Sequence, residues 1–158
     1  MSRKARKFNS HLIPDPRFNS IIVAKCINHI MLDGKKALAS KILYSALSNL
    51  EKISKEKKVS ILDLFVNVIE SLKPSIRMRS RRVGGSTYQV PCPLREKESE
   101  MIAIKWLVDA ARSTSGKSME SSLTDIIIET IEGRGTAIKK KEEMHRTADA
   151  NKAFAHFA

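Results

Sequence analysis

Four arginines, Arg77, Arg79, Arg81 and Arg82, fall within a short stretch whose pattern is extended rather than helical. A guanidinium grips a phosphate through two parallel hydrogen bonds and stacks on a base, whereas a merely solvated face more commonly uses lysine and glutamate. Ile76, Met78 and Ser80 alternate with Arg77, Arg79 and Arg81, the period of two that gives a strand one charged face. Gly84 and Gly85 follow, a pair that tolerates the positive φ of a tight turn, and then the strand formers Thr87, Tyr88 and Val90. The expectation is a β-hairpin over residues 75–91 with arginines clustered at its tip, suited to a polyanion with a groove. Tyr88 on that hairpin has two open readings, stacking on a nucleotide or packing against the body of the protein.

Further basic groups fall elsewhere. Lys139, Lys140 and Lys141 form a second cluster, followed by Arg146 and Lys152, with Glu142 and Glu143 partly neutralising it. A solvated helix face is the alternative there. Lys35 and Lys36 stand at a helix start, where positive charge opposes the helix dipole, which suggests an external use. Arg3, Lys4, Arg6 and Lys7 lie in an arm, residues 1–18, that precedes any periodic apolar pattern and contains the turn Pro14-Asp15-Pro16. Phosphate contacts are expected to order that arm.

The whole chain agrees with its parts. In 158 residues, 29 Lys and Arg stand against 17 Asp and Glu, a net charge of +12. An excess of that size costs self-repulsion that an anionic partner relieves, nucleic acid first and an acidic membrane surface second. No run of about 18 apolar residues is present to span a bilayer. The charged N-terminus leads into no apolar segment of the secretory kind. Cys26 and Cys92 show no pairing pattern, as in a reduced compartment.

Catalytic readings fare poorly. Gly116-Lys117-Ser118 resembles the end of a phosphate-binding loop, but Ala111 occupies the position where the earlier glycine belongs, and the preceding segment reads as helix. Gly116 as a helix terminator and Ser118 as the next cap explain it better. His11, His29, His145 and His156 are scattered, without metal-ligand spacing to either cysteine. Cys26 falls beside Ile22 and Ile30 on a helix face and reads as a small core hydrophobe. Glu96, Glu98 and Glu100 suit a helix start, where the dipole favours negative charge. Trp106 lies in an apolar helix and reads as core. No enzyme, metal or cofactor is expected.

The elements that must position these groups are helical. A helix capped by Ser20 carries Ile22, Cys26, Ile27 and Ile30 inward and stops at Asp33-Gly34. A longer one, from 35 to about 55, bears Leu38, Ile42, Leu43, Ala46, Leu47, Leu50 and Ile53 on a stripe. Ser60 and Asp63 form a capping-box pattern for a third, with Ile61, Phe65, Val68, Ile69 and Leu72 toward the core. After the hairpin come helices from about 97 to 112, with Met101 among its apolar residues, from 118 to 132, and from about 136 to 154. The fold class expected is all-α: a single domain over residues 1–158, a bundle of about six helices with the basic hairpin protruding between the third and fourth.

These residues, in this order, resemble the seventh small-subunit ribosomal protein family in its bacterial form. Four blocks carry the resemblance: residues 12–16 (Leu-Ile-Pro-Asp-Pro), 32–36 (Leu-Asp-Gly-Lys-Lys), 80–91, and 139–157, which contains Met-His-Arg-Thr-Ala-Asp-Ala-Asn-Lys-Ala-Phe. The resemblance implies a helical bundle with a protruding hairpin that binds small-subunit rRNA, organises the subunit head and nucleates its assembly. It implies a hairpin near the exit site, close to mRNA and departing tRNA, with head and platform proteins as neighbours. Carried over by matching position, the RNA-facing set comprises Arg3, Lys4, Arg6, Lys7, Lys35, Lys36, Arg79, Arg81, Arg82, Gly84 and Gly85. It continues with Lys139, Lys140, Lys141, His145, Arg146, Asn151 and Lys152; the hairpin pattern adds Arg77 and Tyr88. The setting implied is the cytoplasmic ribosome of a bacterium, or that of an organelle with bacterial-type ribosomes.

Departures from the family pattern carry expectations of their own. Acids at 96, 98 and 100 replace a commonly basic segment, so solvent or a protein neighbour rather than RNA is expected to meet that helix start. Pro91-Cys92-Pro93 suggests a shorter ladder. The ending at Phe157-Ala158, short of a longer aromatic and basic ending, suggests a weaker terminal contact. Two rivals stand beside this reading, a nucleotide-dependent enzyme acting on RNA and a basic DNA-architectural protein. Repression of translation through mRNA binding is compatible with it.

Overall fold

The computed structural model describes residues 12–157. Helices α1 (Ile21–Ile30), α2 (Lys36–Asn49), α3 (Glu51–Lys57) and α4 (Ile61–Leu72) precede strands β1 (Ile76–Val83) and β2 (Ser86–Pro93). Helices α5 (Glu96–Ser113), α6 (Met119–Ile131) and α7 (Thr136–Ala150) follow, and a 3₁₀ segment, Lys152–Phe157, comes last. Among the described residues there are thus seven α-helices and one two-stranded antiparallel sheet.

The extra helix arises because the long helix expected from 35 to 55 breaks at Leu50. There the backbone sits at φ −82°, ψ −1°, and the Leu50 N–H bonds the Leu47 carbonyl at 3.2 Å, a tight turn of the 3₁₀ kind. The break keeps both Leu47 and Leu50 buried while the chain changes direction. The hairpin consequently lies between the fourth and fifth helices, and it spans 76–93 rather than 75–91. The side chain of Ile53 falls outside the described residues.

Local chemistry explains several ends. The Ser60 hydroxyl accepts the Asp63 N–H at 3.0 Å and donates to the Asp63 carboxylate at 2.7 Å, fixing the start of α4. Ser118 caps α6 in the same way, accepting from Ser121 N at 3.3 Å, so the Gly116-Lys117-Ser118 sequence is a helix entry. Ser20 occupies the N-cap position of α1, but its side chain makes no cap bond, contrary to expectation. The last helix stops at Ala150 instead of 154, because the Asn151 side chain donates to the Thr147 carbonyl at 2.9 Å and competes with further helix.

One apolar cluster joins α1, α2, α4, α5, α6 and α7, with Leu43, Phe65, Ile69, Ile104, Leu107, Leu123 and Ile127 wholly or almost wholly enclosed. Each such side chain contributes about 1.5–3 kcal/mol of burial. Cys26 is fully buried in it, as expected, and burial pushes its thiol up to about 12. Leu38 and Met101, expected among the apolar faces, are instead 54% and 52% exposed. Trp106 is half-buried, at the edge of the core rather than within it.

Candidate nucleic-acid interface

The hairpin turns through two residues. Val83 pairs with Ser86 across Gly84 and Gly85, whose φ values of +58° and +90° are those of a type I′ turn. From that pairing the register runs without a bulge to Ile76 opposite Pro93. Hydrogen-bonded pairs alternate with non-bonded ones, so Arg77, Arg79 and Arg81 sit at bonded positions opposite Cys92, Val90 and Tyr88. Pro91 and Pro93 fall at non-bonded positions, where their nitrogens point outward. The ladder is therefore longer than the prolines suggested; they sit where no N–H is required.

The same register corrects the one-faced picture of the charge. Arg77, Arg79 and Arg81 share a face, but Arg82 lies on the opposite one with Ile76, Met78 and Ser80. Arg79, Ser80, Arg81, Arg82, Gly84 and Gly85 are exposed. The root of the hairpin is not: Val90, Pro91 and Cys92 are buried.

Several contacts fasten that root. Ser99 Oγ donates to the Pro74 carbonyl at 2.6 Å, and Leu94 N to the Ser75 carbonyl at 3.0 Å. Ser75 N donates to His145 Nε2 at 3.3 Å, which leaves the ring proton on Nδ1 in the neutral form. Arg77 Nη1 lies 3.6 Å from the Glu98 carboxylate. Tyr88 packs against Phe154, which selects one of its two readings for this conformation. Lys141 Nζ donates to the Ser71 carbonyl at 2.6 Å, tying α7 to the last turn of α4.

The acidic run at the start of α5 has internal partners. Glu96 lies 3.8 Å from Lys73, Glu98 pairs with Arg77, and Glu100 holds Lys25 at 2.9 Å. Glu70 pulls Lys73 closer still, at 2.5 Å, and its hydrogen bond raises the lysine pKa against the opposing effect of burial.

The basic side chains divide accordingly. Arg77, Lys141, His145 and Asn151 have partners within the protein, as Tyr88 has its ring contact. Lys35 has only an exposed 3.9 Å pair with Asp33. No hydrogen bond or ion pair among the described residues engages the side chain of Lys36, Arg79, Arg81, Arg82, Lys139, Lys140, Arg146 or Lys152. Helix α7 packs on β1 and the 3₁₀ segment on β2, so the hairpin and the last block of the chain form one neighbourhood. Lys35 and Lys36 open α2, whose main neighbours are α1, α3 and α6. Arg3, Lys4, Arg6 and Lys7 lie outside the described residues.

Sequence reasoning missed the residues that dock the hairpin, Lys73, Ser75, Ser99 and Phe154. Nothing local marks Ser75, Ser99 or Phe154, whose partners are distant along the chain; Lys73 pairs with nearby Glu70 as well as with Glu96.

The Lys117 ammonium is paired with Asp125, and no group of three or more His, Cys, Asp or Glu among the described residues is arranged to hold a metal.

Comparison with known proteins agrees with the arrangement. The small ribosomal subunit protein uS7 of Dichelobacter nodosus is 44% identical over 157 residues, 99% of each chain. Those of Francisella philomiragia and Francisella tularensis subsp. holarctica are 44% and 43% identical over the same length. Residues 2–152 match the family model for ribosomal protein S7p/S5e. With the match running through arm, bundle, hairpin and last helix, the chain belongs to the ribosomal protein S7p/S5e family.

Proposed function

We propose that this protein is a structural, non-enzymatic component of the small ribosomal subunit that binds the subunit's ribosomal RNA. The observation that carries the reading is the set of cations without a partner among the described residues, Arg79, Arg81, Arg82, Lys139, Lys140, Arg146 and Lys152, gathered on the hairpin and the elements beside it. A cation without an internal partner is free for a phosphate, and Gly84 and Gly85 let a backbone approach the tip closely. Arg77, Tyr88, Lys141, His145 and Asn151 serve the same surface by holding the hairpin and α7 in place. Lys35 and Lys36 at the start of α2, and Arg3, Lys4, Arg6 and Lys7, are proposed as further RNA contacts.

The finer reading places the protein in the head of a bacterial-type subunit, its hairpin near exit-site tRNA and mRNA, with head and platform proteins as neighbours. No helix among the described residues is long and apolar enough to cross a membrane.

Sedimentation through a sucrose gradient tests the proposal directly. The protein should travel with the small subunit. Its affinity for the isolated ribosomal RNA should fall about 10³–10⁵-fold between 50 and 200 mM salt if roughly six to ten phosphates are neutralised. Absence from the subunit fraction would sink the proposal.

A further inference from the structure

Between the hairpin, α5 and α7 lies an open pocket of about 290 Å³, lined by Met78, Trp106, Lys140, Glu143, Met144 and Thr147. Its size is at the lower edge of the roughly 300–1,000 Å³ usual for small-molecule sites, enough for one flat ring system. Met78, Trp106 and Met144 are half-buried, while Lys140, Glu143 and Thr147 are exposed. The apolar part of the lining is therefore an indole and two thioethers, which are polarizable and soft. A core tryptophan would be covered; this one is left partly open beside a cation that has no partner among the described residues.

We infer that this pocket captures one unstacked nucleobase of the bound RNA, with Trp106 as the stacking surface. The inference rests on the RNA-binding reading above and adds a site to it. Unpaired bases in RNA are recognised by stacking on aromatic side chains, and the exposed cations of the hairpin and α7 draw a polyanion to the elements that line this pocket. Glu143 decides which part of a nucleotide enters: its carboxylate repels a phosphate from the pocket and tolerates a neutral base. Lys140 takes the phosphate outside. Arg82 lies on the same hairpin face as Met78, four residues and about 13 Å nearer the tip, in position to meet the strand further along.

Trp106 is the only tryptophan in the chain, so its fluorescence reports on this pocket alone. The full chain is titrated with a transcript of small-subunit ribosomal RNA while emission and acrylamide quenching are followed and binding is measured separately by filter retention. Emission should fall and Trp106 should become shielded from acrylamide at the same RNA concentrations that give retention. A fully paired RNA duplex, bound at low salt, should leave both readouts unchanged.

Trp106→Leu should weaken transcript binding about 5- to 150-fold, and Trp106→Phe should recover most of it, with helical circular dichroism unchanged in both. Retention of the transcript without any change at Trp106 would overturn the inference while leaving the RNA reading intact, and would match a pocket meant for a protein side chain. Equal quenching by the duplex would overturn it also. Failure to bind the transcript at all would remove the RNA reading, and this one with it.

Discussion

The Tyr88 ring sits 4.9 Å, centroid to centroid, from the ring of Phe154, tilted by 40°. A residue on the returning strand of the hairpin is thereby held by the last turn of the described chain, and the hairpin is braced from the side as well as from its root. Aromatic pairs of this geometry contribute about 0.5–1.5 kcal/mol beyond their buried area. Phe154→Ala should therefore speed amide exchange over residues 86–90 and leave the amides of α5 and α6 as protected as before. Unchanged exchange in β2 would show that the root contacts alone fix the hairpin.

Arg79, Arg81 and Arg82 are exposed and have no internal hydrogen-bond or ion-pair partner among the described residues, so replacing all three with alanine should barely affect folding. Each change should shift stability by no more than about 0.5 kcal/mol. Each phosphate that an arginine no longer neutralises should lower the slope of log affinity against log salt by about one. With α7 still in place, incorporation into subunits should fall modestly while handling of exit-site tRNA or mRNA changes. A melted triple variant would place the arginines in the fold. A folded one that never enters subunits would make the hairpin the main assembly anchor.

Tyr44 donates to the buried Asp15 carboxylate at 2.5 Å, while that carboxylate also accepts the N–H groups of Arg17 and Phe18 at 3.1 Å. Burial first, then the bond to Asp15, pushes the phenol from its usual 10.0 up to about 12. The folded pKa exceeds the unfolded one, so this hydrogen bond stabilises fully below pH 10 and its contribution disappears as pH rises toward 12. Phenolate absorbance should show a native titration near 12 that Tyr44→Phe abolishes. The variant should also cost about 1–3 kcal/mol, because a buried carboxylate is left short of a donor. An unshifted phenol would mean that residues 12–20 are not clipped to α2.

Cys26 should be chemically silent. With its pKa raised by burial from 9.0 to about 12, the thiol stays protonated across the neutral range, and only the thiolate is a nucleophile. Modification of Cys26 by a thiol reagent, followed by mass spectrometry of the peptide, should proceed at the rate of unfolding and rise with denaturant. Prompt labelling of the native protein would contradict the packing around α1.

Much of the fold was legible because helices announce themselves by period, and Ser60, Ser118 and the Gly84-Gly85 turn are local signals. The break at Leu50 was not, since the apolar stripe runs through it and only tertiary packing decides where the chain bends. Leu38 and Met101 carry the right period but lie at the margin of the buried faces. For the proposed interface, residue types and spacing pointed to the basic groups. Which of them were free depended on acceptors elsewhere in the chain: Glu98 occupies Arg77, and the Ser71 carbonyl occupies Lys141. The acidic start of α5 reads as facing outward, and Glu96 is indeed largely exposed; what the sequence does not show is that Glu98 and Glu100 also pair with Arg77 and Lys25.

Pro91 and Pro93 have a consequence for the life of the protein before it meets RNA. The exposed end of a two-stranded ribbon leaves strand rims on which other chains can add as further strands, whereas the root here is covered by α7 and the 3₁₀ segment. Toward the root the outer rim of β2 has no hydrogen to offer at the buried Pro91 or the exposed Pro93, and at the exposed end repulsion among Arg79, Arg81 and Arg82 opposes bringing a second copy alongside. Before it meets RNA the protein thus carries, toward both ends of this hairpin, features that disfavour pairing with a second copy.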